Sequence, residues 1–393
     1  TALDVTMEND LMNLNEVIVV GYGTAKKVGT VVGSLTQVSS SKLAEKPTAN
    51  VLDALQGKVA GLQVYTSSGE PSQISSMRLH GVGSLGASST PLYVLDGNAI
   101  DANTMLTLNS NDFESVTVLK DASATSIYGT RAANGVIYIT TKRGTIDTKA
   151  RIKVTSQYGT STLASTDFFN SFMNTKQLTD FWVATGYKRQ GQVDTLLTDY
   201  PNDTKWYETY YKKSAPTYQT DLSISGGGGK TTYYVSGSYF YSDGLAFRSA
   251  YDRYSLRSNI NSKANDWLSF GLNIAASTDK RQTNPYGSNS TNRGLGLLAQ
   301  PFYSPLDANG VKYPDMIPGW ARYNPEYLAN KNPSLTINSQ LDGMVYMQLT
   351  PFKGLTIRAQ EGIDAYDQRA TAKSLPSNKQ SLWNGNTSET FSR

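Results

Sequence analysis

The chain has 393 residues, a formal net charge of +4, no cysteine and a single histidine, His80, and only 17% of its residues are charged. Soluble domains carry about 25% charged residues, so either something other than charge keeps this chain in solution or it does not lie in water. The composition excludes zinc, haem and iron–sulfur sites, cysteine nucleophiles and disulfides, it calls for no cofactor, and its scattered basic residues form no nucleic-acid-binding footprint.

Near its start the chain carries a short β-prone run, Val17–Val20, flanked by polar residues. It is far shorter than the roughly 20 residues of a membrane-spanning helix. The glycines that follow begin like a dinucleotide-binding motif, but Lys26 stands where the third glycine is required. The run favours a strand that can be added to the sheet edge of another protein, with an internal strand of the first domain as the alternative.

The region before residue 145 mixes short apolar strands with glycine and serine clusters. Two short amphipathic helices are predicted, Asp53–Gly57 and Asp121–Tyr128, and a glycine ends each of them. Asp96-Gly97-Asn98 begins like a calcium loop, but Ile100 occupies the third ligand position, so a tight turn is the better interpretation.

Composition changes at residues 142–145, after which tyrosine, asparagine, threonine and serine dominate and apolar residues alternate with polar ones. In one segment Tyr254, Leu256 and Ile260 share a face, while the opposite face is polar and is expected to be wet. Seven such strands of roughly ten residues are predicted, the length that crosses a membrane as a tilted β-strand. They are Ile152–Thr160, Tyr218–Gly226, Thr231–Tyr241, Tyr251–Lys263, Asp266–Thr278, Leu341–Leu349 and Leu355–Ile363.

Long and short connections lie at opposite ends of these strands. The long stretches are 161–217 and 279–338, whereas tight turns follow the even-numbered strands. Gly226–Thr231 resembles a phosphate loop, but a strand follows it where a helix is required, so it too is interpreted as a turn. This asymmetry is typical of outer-membrane barrels. An aromatic girdle is expected from Tyr233, Tyr239, Tyr241, Tyr251 and Trp267.

A soluble β-sandwich or a lipocalin-like barrel has the same alternation and stays open as an alternative from periodicity alone. Loop asymmetry favours the membrane barrel. Seven antiparallel strands cannot close, and a barrel that holds a domain of about 120 residues needs on the order of 22 strands. We therefore expect either an N-terminal fragment of a longer barrel or remaining strands on a separate chain. No paired carboxylates stand out and His80 is interpreted as structural, so the protein is not expected to be an enzyme.

Three motifs of the first domain carry a family resemblance. They are Leu55-Gln56-Gly57-Lys58-Val59-Ala60-Gly61-Leu62, then Arg78-Leu79-His80-Gly81 with Pro91-Leu92-Tyr93-Val94-Leu95-Asp96-Gly97, and the long run from Phe113-Glu114-Ser115-Val116 through Tyr128-Gly129-Thr130-Arg131-Ala132-Ala133-Asn134-Gly135. These motifs resemble the plug domain of the SusC/RagA family of TonB-dependent outer-membrane transporters, strongly over residues 14–145.

The resemblance implies an all-β transmembrane β-barrel with an N-terminal α+β plug domain inside it, located in the cell outer membrane and in contact with its lipid. Residues 1–13 would be the tail of an N-terminal extension, 14–23 a TonB-box-like segment and 24–145 the plug. The barrel would begin within 146–393, with extracellular loops at 161–217, 279–338 and 367–393. TonB, energised by ExbB and ExbD, would bind Glu16, Val17, Ile18, Val19, Val20, Gly21, Tyr22 and Gly23.

The family imports oligopeptides or oligosaccharides that a SusD-like surface lipoprotein delivers as a lid, and the resemblance implies a dimer of transporter–lipoprotein pairs. Residues 42–47 and 83–91 look closer to the RagA branch, which is associated with peptides, so oligopeptides are favoured. Arg131 is expected to make a structural ion pair or to contact the barrel wall. Plug loops 84–90 and 101–107 are expected to form the cavity floor, with candidate ligand-binding residues Ser84, Leu85, Ser88, Ser89, Asp101 and Asn103.

The alternative function is a surface binding receptor or adhesin that uses the same loops and transports nothing. It predicts a soluble fold without detergent and no dependence on the proton-motive force.

Overall fold

The computed structural model describes most of the chain. The described residues are 17–20, 24–27, 35–45, 48–66, 69–71, 73, 75–79, 81, 89–120, 125–284, 299–320, 322–379 and 388–392. Among them, no helix has the length and apolar character needed to cross a membrane. His80 lies outside the described residues.

The first domain, called the plug below, is built on a mixed five-stranded sheet. Its described strands are β1 (Val17–Val20), β2 (Thr24–Lys27), β3 (Leu35–Ser39), β4 (Leu62–Tyr65), β5 (Ser76–Leu79), β6 (Leu92–Leu95), β7 (Asn98–Ile100), β8 (Phe113–Leu119) and β9 (Val136–Thr141). The sheet order is β3-β8-β9-β6-β7, with β6 and β9 parallel and the other neighbours antiparallel. β1 pairs with β2, and β4 with β5, in separate two-stranded ribbons.

The core of the plug lies on the two central strands of this sheet. Val116 and Val118 of β8 and Ile137 and Ile139 of β9 are buried together with Leu52. The β-branched residues of these strands fit the pleated surface of a sheet that is covered by short helices.

The helices are short and lie mostly in connections. The described helices are α1 (Ser40–Leu43), α2 (Asp167–Asn170), α3 (Thr175–Ala184), α4 (Gln190–Asp199), α5 (Trp206–Tyr210) and α6 (Pro325–Lys331), with 3₁₀ helices at Val51–Leu55, Ala102–Leu106, Ser110–Asp112 and Ser126–Ala132. The helix predicted over 53–57 is the 3₁₀ helix at 51–55. The Asn50 side chain accepts a hydrogen bond from the Leu52 N–H at its start, and Gly57, with φ +73°, follows its end.

The second predicted helix is only partly described, because residues 121–124 lie outside the described residues. The part that follows is the 3₁₀ helix at 126–132, which Gly129 interrupts with φ 63° and ψ −151°. This conformation is open to glycine and strained for other residues, so the glycine ends the regular turn as the sequence indicated.

The second part of the chain forms one antiparallel sheet of eight described strands, called the wall below. Its strands follow chain order: β10 (Thr148–Ser161), β11 (Ala215–Gly227), β12 (Thr231–Asp243), β13 (Ala250–Lys263), β14 (Leu268–Thr283), then, after the ribbon β15 (Met316–Ile317) and β16 (Arg322–Tyr323), β17 (Ser334–Phe352), β18 (Leu355–Ser374) and β19 (Ser388–Ser392). All seven predicted strands are present and longer than predicted. The loop predicted at 367–393 is wrong in part, because β18 continues to Ser374 and β19 forms an eighth strand.

The two faces of the wall reverse the pattern of a soluble protein. Apolar side chains such as Leu256 and Ile363 are exposed, each 57% accessible, on the outward face. The inward face of β13 carries Arg253, Arg257 and Asn259, which are all buried. The prediction that this polar face is wet is wrong at these three positions, because the plug packs against it.

Aromatic side chains gather on the outward face at both ends of the wall. Next to the long loops, Tyr218 stacks on Tyr241 with ring centroids 4.8 Å apart, and Tyr239 contacts Tyr254 at 4.7 Å. At the opposite end Trp267 is exposed in the turn between β13 and β14. Tyr251 departs from the predicted girdle, as described below, because it lies on the inward face.

The tight turns lie together at one end of the wall. After β11 the backbone N–H of Gly228 donates to the Thr231 carbonyl at 2.9 Å, so Gly226–Thr231 is a strand end and turn as predicted. After β17 the turn passes through Gly354, where φ is +97°. The long connections all lie at the other end, called the outer end below.

Candidate functional site

The most extensive candidate site is the contact between the plug and the inward face of the wall. Polar side chains from β11, β12 and β13 are buried there against turns and helix ends of the plug. Buried polar groups cost free energy unless they are paired, so each pairing defines how the plug is held.

Asp96 lies at the tight turn between β6 and β7. Its φ of 50° and the φ of 101° at Gly97 form the left-handed turn that Asp-Gly favours in hairpins, which confirms the predicted turn. The carboxylate accepts hydrogen bonds from the backbone N–H and the hydroxyl of Thr141, at 3.0 and 2.5 Å. The turn is thereby tied to the end of β9, where the plug leads into the wall.

Arg257 of β13 reaches this carboxylate from the wall. Its Nη1 lies 3.9 Å from Oδ2 of Asp96, and its Nε lies 4.0 Å from Oδ2 of Asp112. These distances are too long for direct hydrogen bonds but place one cation between two carboxylates. All three side chains are about 4–6% exposed, so the arrangement is a buried ionic contact between plug and wall.

Asp112 has two further partners on the wall. The hydroxyl of Tyr234 donates to its Oδ1 at 2.8 Å, and the hydroxyl of Ser236 donates to the same oxygen at 2.6 Å. Both belong to the inward face of β12. The carboxylate is therefore bonded by neutral donors and also faces the Arg257 cation.

Asp221 reverses the arrangement, since here the carboxylate comes from the wall. Its two oxygens accept from the amide nitrogens of Asn109 and Asn111, both at 2.7 Å. The Asn109 oxygen accepts in turn from Nε2 of Gln219 at 3.0 Å and from the backbone N–H of Asn111. Asn109 thus caps the 3₁₀ helix at 110–112 and joins the wall at the same time.

The segment that links plug and wall is also held. Asn259 donates from Nδ2 to the Thr141 hydroxyl and the Lys142 carbonyl, at 2.8 and 2.7 Å. The Lys142 ammonium donates to the Asn111 carbonyl at 2.6 Å. Burial lowers the pKa of Lys142, and Lys153 lowers it further. The charged ammonium is therefore held at a cost in solvation, which this hydrogen bond and nearby carboxylates partly offset.

Closer to the outer end, the wall binds carbonyl groups at a helix end of the plug. The Tyr251 hydroxyl and Arg253 Nη1 both donate to the Leu106 carbonyl at 2.7 Å. Arg253 also donates to the Ala49 carbonyl at 3.3 Å. Tyr251 is fully buried, so its prediction as a girdle residue is wrong: its hydroxyl shares the Leu106 carbonyl with Arg253 instead of facing lipid.

The predicted TonB-interacting residues are only partly described. Val17, Ile18, Val19 and Val20 form β1, which pairs antiparallel with β2 and not with the five-stranded plug sheet. Glu16, Gly21, Tyr22 and Gly23 lie outside the described residues.

Three of the predicted ligand-binding residues are described, namely Ser89, Asp101 and Asn103. Ser84, Leu85 and Ser88 lie outside the described residues, and Ser89 is half-buried in an irregular segment. Asp101 and Asn103 are exposed, and the Asp101 carboxylate accepts from the Asn103 N–H at 2.8 Å to cap the 3₁₀ helix at 102–106. Binding by these residues stays a prediction.

Arg131 faces the wall across a cavity. It is exposed, and together with Arg358 and Gln360 of β18 it lines a space of about 1120 Å³. The described geometry therefore puts Arg131 at the boundary between plug and wall.

The plug region matches a known family. Residues 27–136 match the family model described as TonB-dependent Receptor Plug Domain. TonB-dependent receptor P26 of Formosa agariphila is 32% identical over 364 residues, which cover 91% of this chain and 36% of that protein. TonB-dependent receptor SusC of Bacteroides thetaiotaomicron is 31% identical over 353 residues, covering 84% of this chain and 33% of that protein.

A solved structure agrees with these relatives in sequence and in fold. The RagAB peptide importer in its open-open state matches with a TM-score of 0.82 and 40% identity, covering 92% of this chain and 44% of that chain. The chain belongs to the SusC/RagA family of TonB-dependent outer-membrane transporters. It spans about a third of the length of the curated relatives it matches. As a SusC/RagA member it combines a plug with barrel strands in the outer membrane, which confirms the predicted fold class and location.

In a SusC/RagA barrel the outward face lies against lipid, and one charged side chain stands out there. Glu361 of β18 is exposed on this face beside Val345 of β17. It lies midway along the strand between Leu355 at the turn and Asp367 towards the outer end. A carboxylate at this depth is costly in a bilayer.

Replacing Glu361 with leucine should raise the free energy of unfolding by on the order of 1–2 kcal/mol, because the carboxylate no longer has to be held in hydrocarbon. Glu361→Gln should give a smaller gain, since it removes the charge and keeps the polarity. Denaturant titration of the transporter in lipid vesicles measures both. A loss of stability in both variants would contradict the lipid exposure of Glu361.

Proposed function

We propose that the whole transporter imports oligopeptides across the outer membrane, with oligosaccharides as the second ligand class. The energy for this import reaches the transporter through TonB. The observation that carries this proposal is the polar character of the contact between plug and wall. Its pairs, such as Asn109 with Asp221 and Tyr251 with the Leu106 carbonyl, join a plug that keeps its own apolar core.

A polar contact of this kind suits a plug that must move. Each hydrogen bond can be exchanged for one to water at a net cost of about 0.5–1.5 kcal/mol, whereas separating an apolar interface exposes its whole area. A pull on the plug could therefore release it from the wall stepwise without unfolding the core around Val116 and Ile137.

The ribbon of β1 and β2 supports a role for residues 16–23 in binding TonB. Two-stranded ribbons are marginally stable by themselves. Val17–Val20 can therefore leave β2 and pair with a sheet edge of TonB, where main-chain hydrogen bonds resist pulling. ExbB and ExbD would supply the energy to TonB.

The outer end of the wall suits the other proposed partners. A SusD-like lipoprotein would close over the long connections, and two transporter–lipoprotein pairs would form a dimer. The RagAB peptide importer, at 40% identity, supports peptides as the favoured ligand. We propose that the plug forms the floor of the ligand cavity inside the barrel. The candidate ligand-binding residues there are Ser84, Leu85, Ser88, Ser89, Asp101 and Asn103.

Deletion of residues 14–23 should abolish growth on the transported ligand and leave ligand binding intact, because it removes the TonB contact and leaves the described plug–wall contacts in place. Growth and equilibrium binding are measured on the same strain, with the amount of transporter in the outer membrane determined by immunoblot. Val19→Thr, which keeps a β-prone residue, is the matched control and should grow normally.

Uptake that continues after the deletion would contradict TonB coupling. Ligand binding with no uptake by the parent protein, with or without an uncoupler, would instead indicate the surface receptor or adhesin.

A further inference from the structure

Two long connections at the outer end of the wall fold together into one unit, called the outer cap below. It consists of residues 162–214, between β10 and β11, and of the described residues 299–320 and 322–333, between β14 and β17. The Thr204 N–H donates to the Pro301 carbonyl at 2.7 Å, and Nε1 of Trp206 donates to the Gln300 carbonyl at 3.0 Å. The outer cap therefore has fixed walls.

The outer cap encloses a cavity of about 780 Å³ between these two connections. This volume lies within the range of ~300–1,000 Å³ that is usual for small-ligand sites. One side of the cavity is aromatic. Phe169 stacks on Tyr207 with ring centroids 4.9 Å apart, and the rings of Trp182 and Trp206 lie deeper, 9% and 5% exposed.

The mouth of the cavity leaves apolar side chains in water. Phe172 and Met173 are 41% and 48% exposed and line its entrance. They lie at the outer end of the wall, beyond Tyr218 and Tyr241 of the outward face, so lipid does not cover them. Apolar groups gathered around a concave site, rather than scattered singly, mark a binding surface.

Polar side chains at the start of α3 line the cavity together with these aromatic rings. Asn174 and Gln177 form a capping box in which the side-chain oxygen of each accepts a backbone N–H, at 2.9 and 3.1 Å. The amide nitrogens of both side chains are not used by the box. Since both residues line the cavity, these nitrogens are placed to donate hydrogen bonds to carbonyl groups of a ligand.

The lining contains both apolar and polar groups. Phe172, Met173 and Leu178 are apolar, whereas Asn170, Asp203 and Lys205 offer hydrogen-bond partners. An extended peptide matches such a lining, because it can bury one side chain against the apolar residues while its carbonyl groups accept hydrogen bonds from the amide donors.

We propose that this cavity is a peptide-binding site of the outer cap that takes an apolar, preferably aromatic, side chain, with Asn174 and Gln177 donating to peptide carbonyls. The choice of peptide rests on the proposed function, whereas the position of the site rests on the cavity. The residues that line this cavity all belong to the outer cap.

The test measures binding of two probes to the whole transporter in detergent by calorimetry: a capped Ala-Ala-Phe-Ala-Ala peptide and capped penta-alanine. The phenylalanine peptide should bind more tightly. Phe172→Ala should weaken its binding about tenfold and leave penta-alanine almost unchanged, because an aromatic contact at a binding site is worth more than 1 kcal/mol. Phe172→Leu should restore part of the affinity.

Phe181→Ala is the matched control, because Phe181 is also half exposed, on α3, but does not line the cavity. Equal effects of Phe172→Ala and Phe181→Ala, or no effect of either, would overturn the site. Weaker binding of maltoheptaose in Phe172→Ala, with no binding of the phenylalanine peptide by the parent protein, would overturn the peptide assignment. Normal binding at this site without peptide uptake would instead contradict the proposed function alone.

Discussion

Replacing Arg257 with alanine should lower the free energy of unfolding by about 3–5 kcal/mol, the usual effect of removing one partner from a buried ionic contact. Asp96 and Asp112 would both lose the cation that lies about 4 Å from each of them. Heat-induced mobility shifts of the purified transporter measure the loss of stability. Because both carboxylates belong to the plug, entry of a large antibiotic into cells that carry the variant measures loosening of the plug.

Arg369→Ala is the matched control, because Arg369 is an arginine of the wall that is 57% exposed and paired with Asp367 at 3.1 Å. Exposed pairs contribute about 0–1 kcal/mol, so this variant should behave almost like the parent protein. Arg257→Lys should keep part of the stability. The double variant Arg257→Met with Asp112→Asn should be more stable than Arg257→Met alone, because the second substitution removes one of the two carboxylate charges that the first leaves without a cation. An Arg257→Ala variant as stable as Arg369→Ala would show that the contact does not hold the plug.

The strands of the wall could be predicted from sequence because their pattern is local. Within the part of each strand that faces lipid, apolar and polar residues alternate. A window such as 268–278 is therefore enough to predict a strand without any knowledge of its neighbours. The pattern fails at the outer end of β18, where Asp367 and Arg369 put charge on the outward face, so the predicted strand ends at Ile363 whereas β18 continues to Ser374. Beyond the bilayer the outward face no longer has to be apolar, so period two is lost although the hydrogen-bonded ladder continues.

The candidate site could not be predicted because its partners are far apart in sequence. Asn109 and Asp221 are separated by 112 residues, and nothing near either one indicates the other. Asp96-Gly97 predicted a turn, and the turn is there, but the pattern does not show that the carboxylate reaches Thr141 and Arg257.

One signal for the site was present in the sequence. Arg257 lies in the middle of β13 and Arg253 lies four residues nearer the outer end, while Tyr254, Leu256 and Ile260 share the opposite face. An arginine at membrane depth needs a partner inside the barrel, because neither lipid nor an empty lumen satisfies it as well as a carboxylate or carbonyl group. Such an arginine indicates a partner on the plug, and a polar face of this kind should be assigned to a buried contact rather than to water.

The outward face offers a second test with a large expected effect. Ile274 lies on the outward face of β14, midway between Leu268 at the turn and Lys280 at the outer end. Ile274→Arg should lower the free energy of unfolding in lipid vesicles by about 2–4 kcal/mol, because the guanidinium must lie in hydrocarbon or reach for the headgroups. Denaturant titration in vesicles measures this loss of stability. The fraction of the variant that is inserted into the outer membrane should also be lower than that of the parent protein.

Gln282→Arg places the same residue on the same face of the same strand, eight residues nearer the outer end, where the expected cost is about 0–1 kcal/mol. The pair also separates a membrane wall from a soluble sheet by sign. On a soluble sheet Ile274 would be an exposed apolar residue in water, and an arginine there would be neutral or favourable to solubility. Equal stabilities for the two variants would therefore place this face in water, whereas a loss confined to Ile274→Arg would place it against lipid, with the polar face turned to the plug.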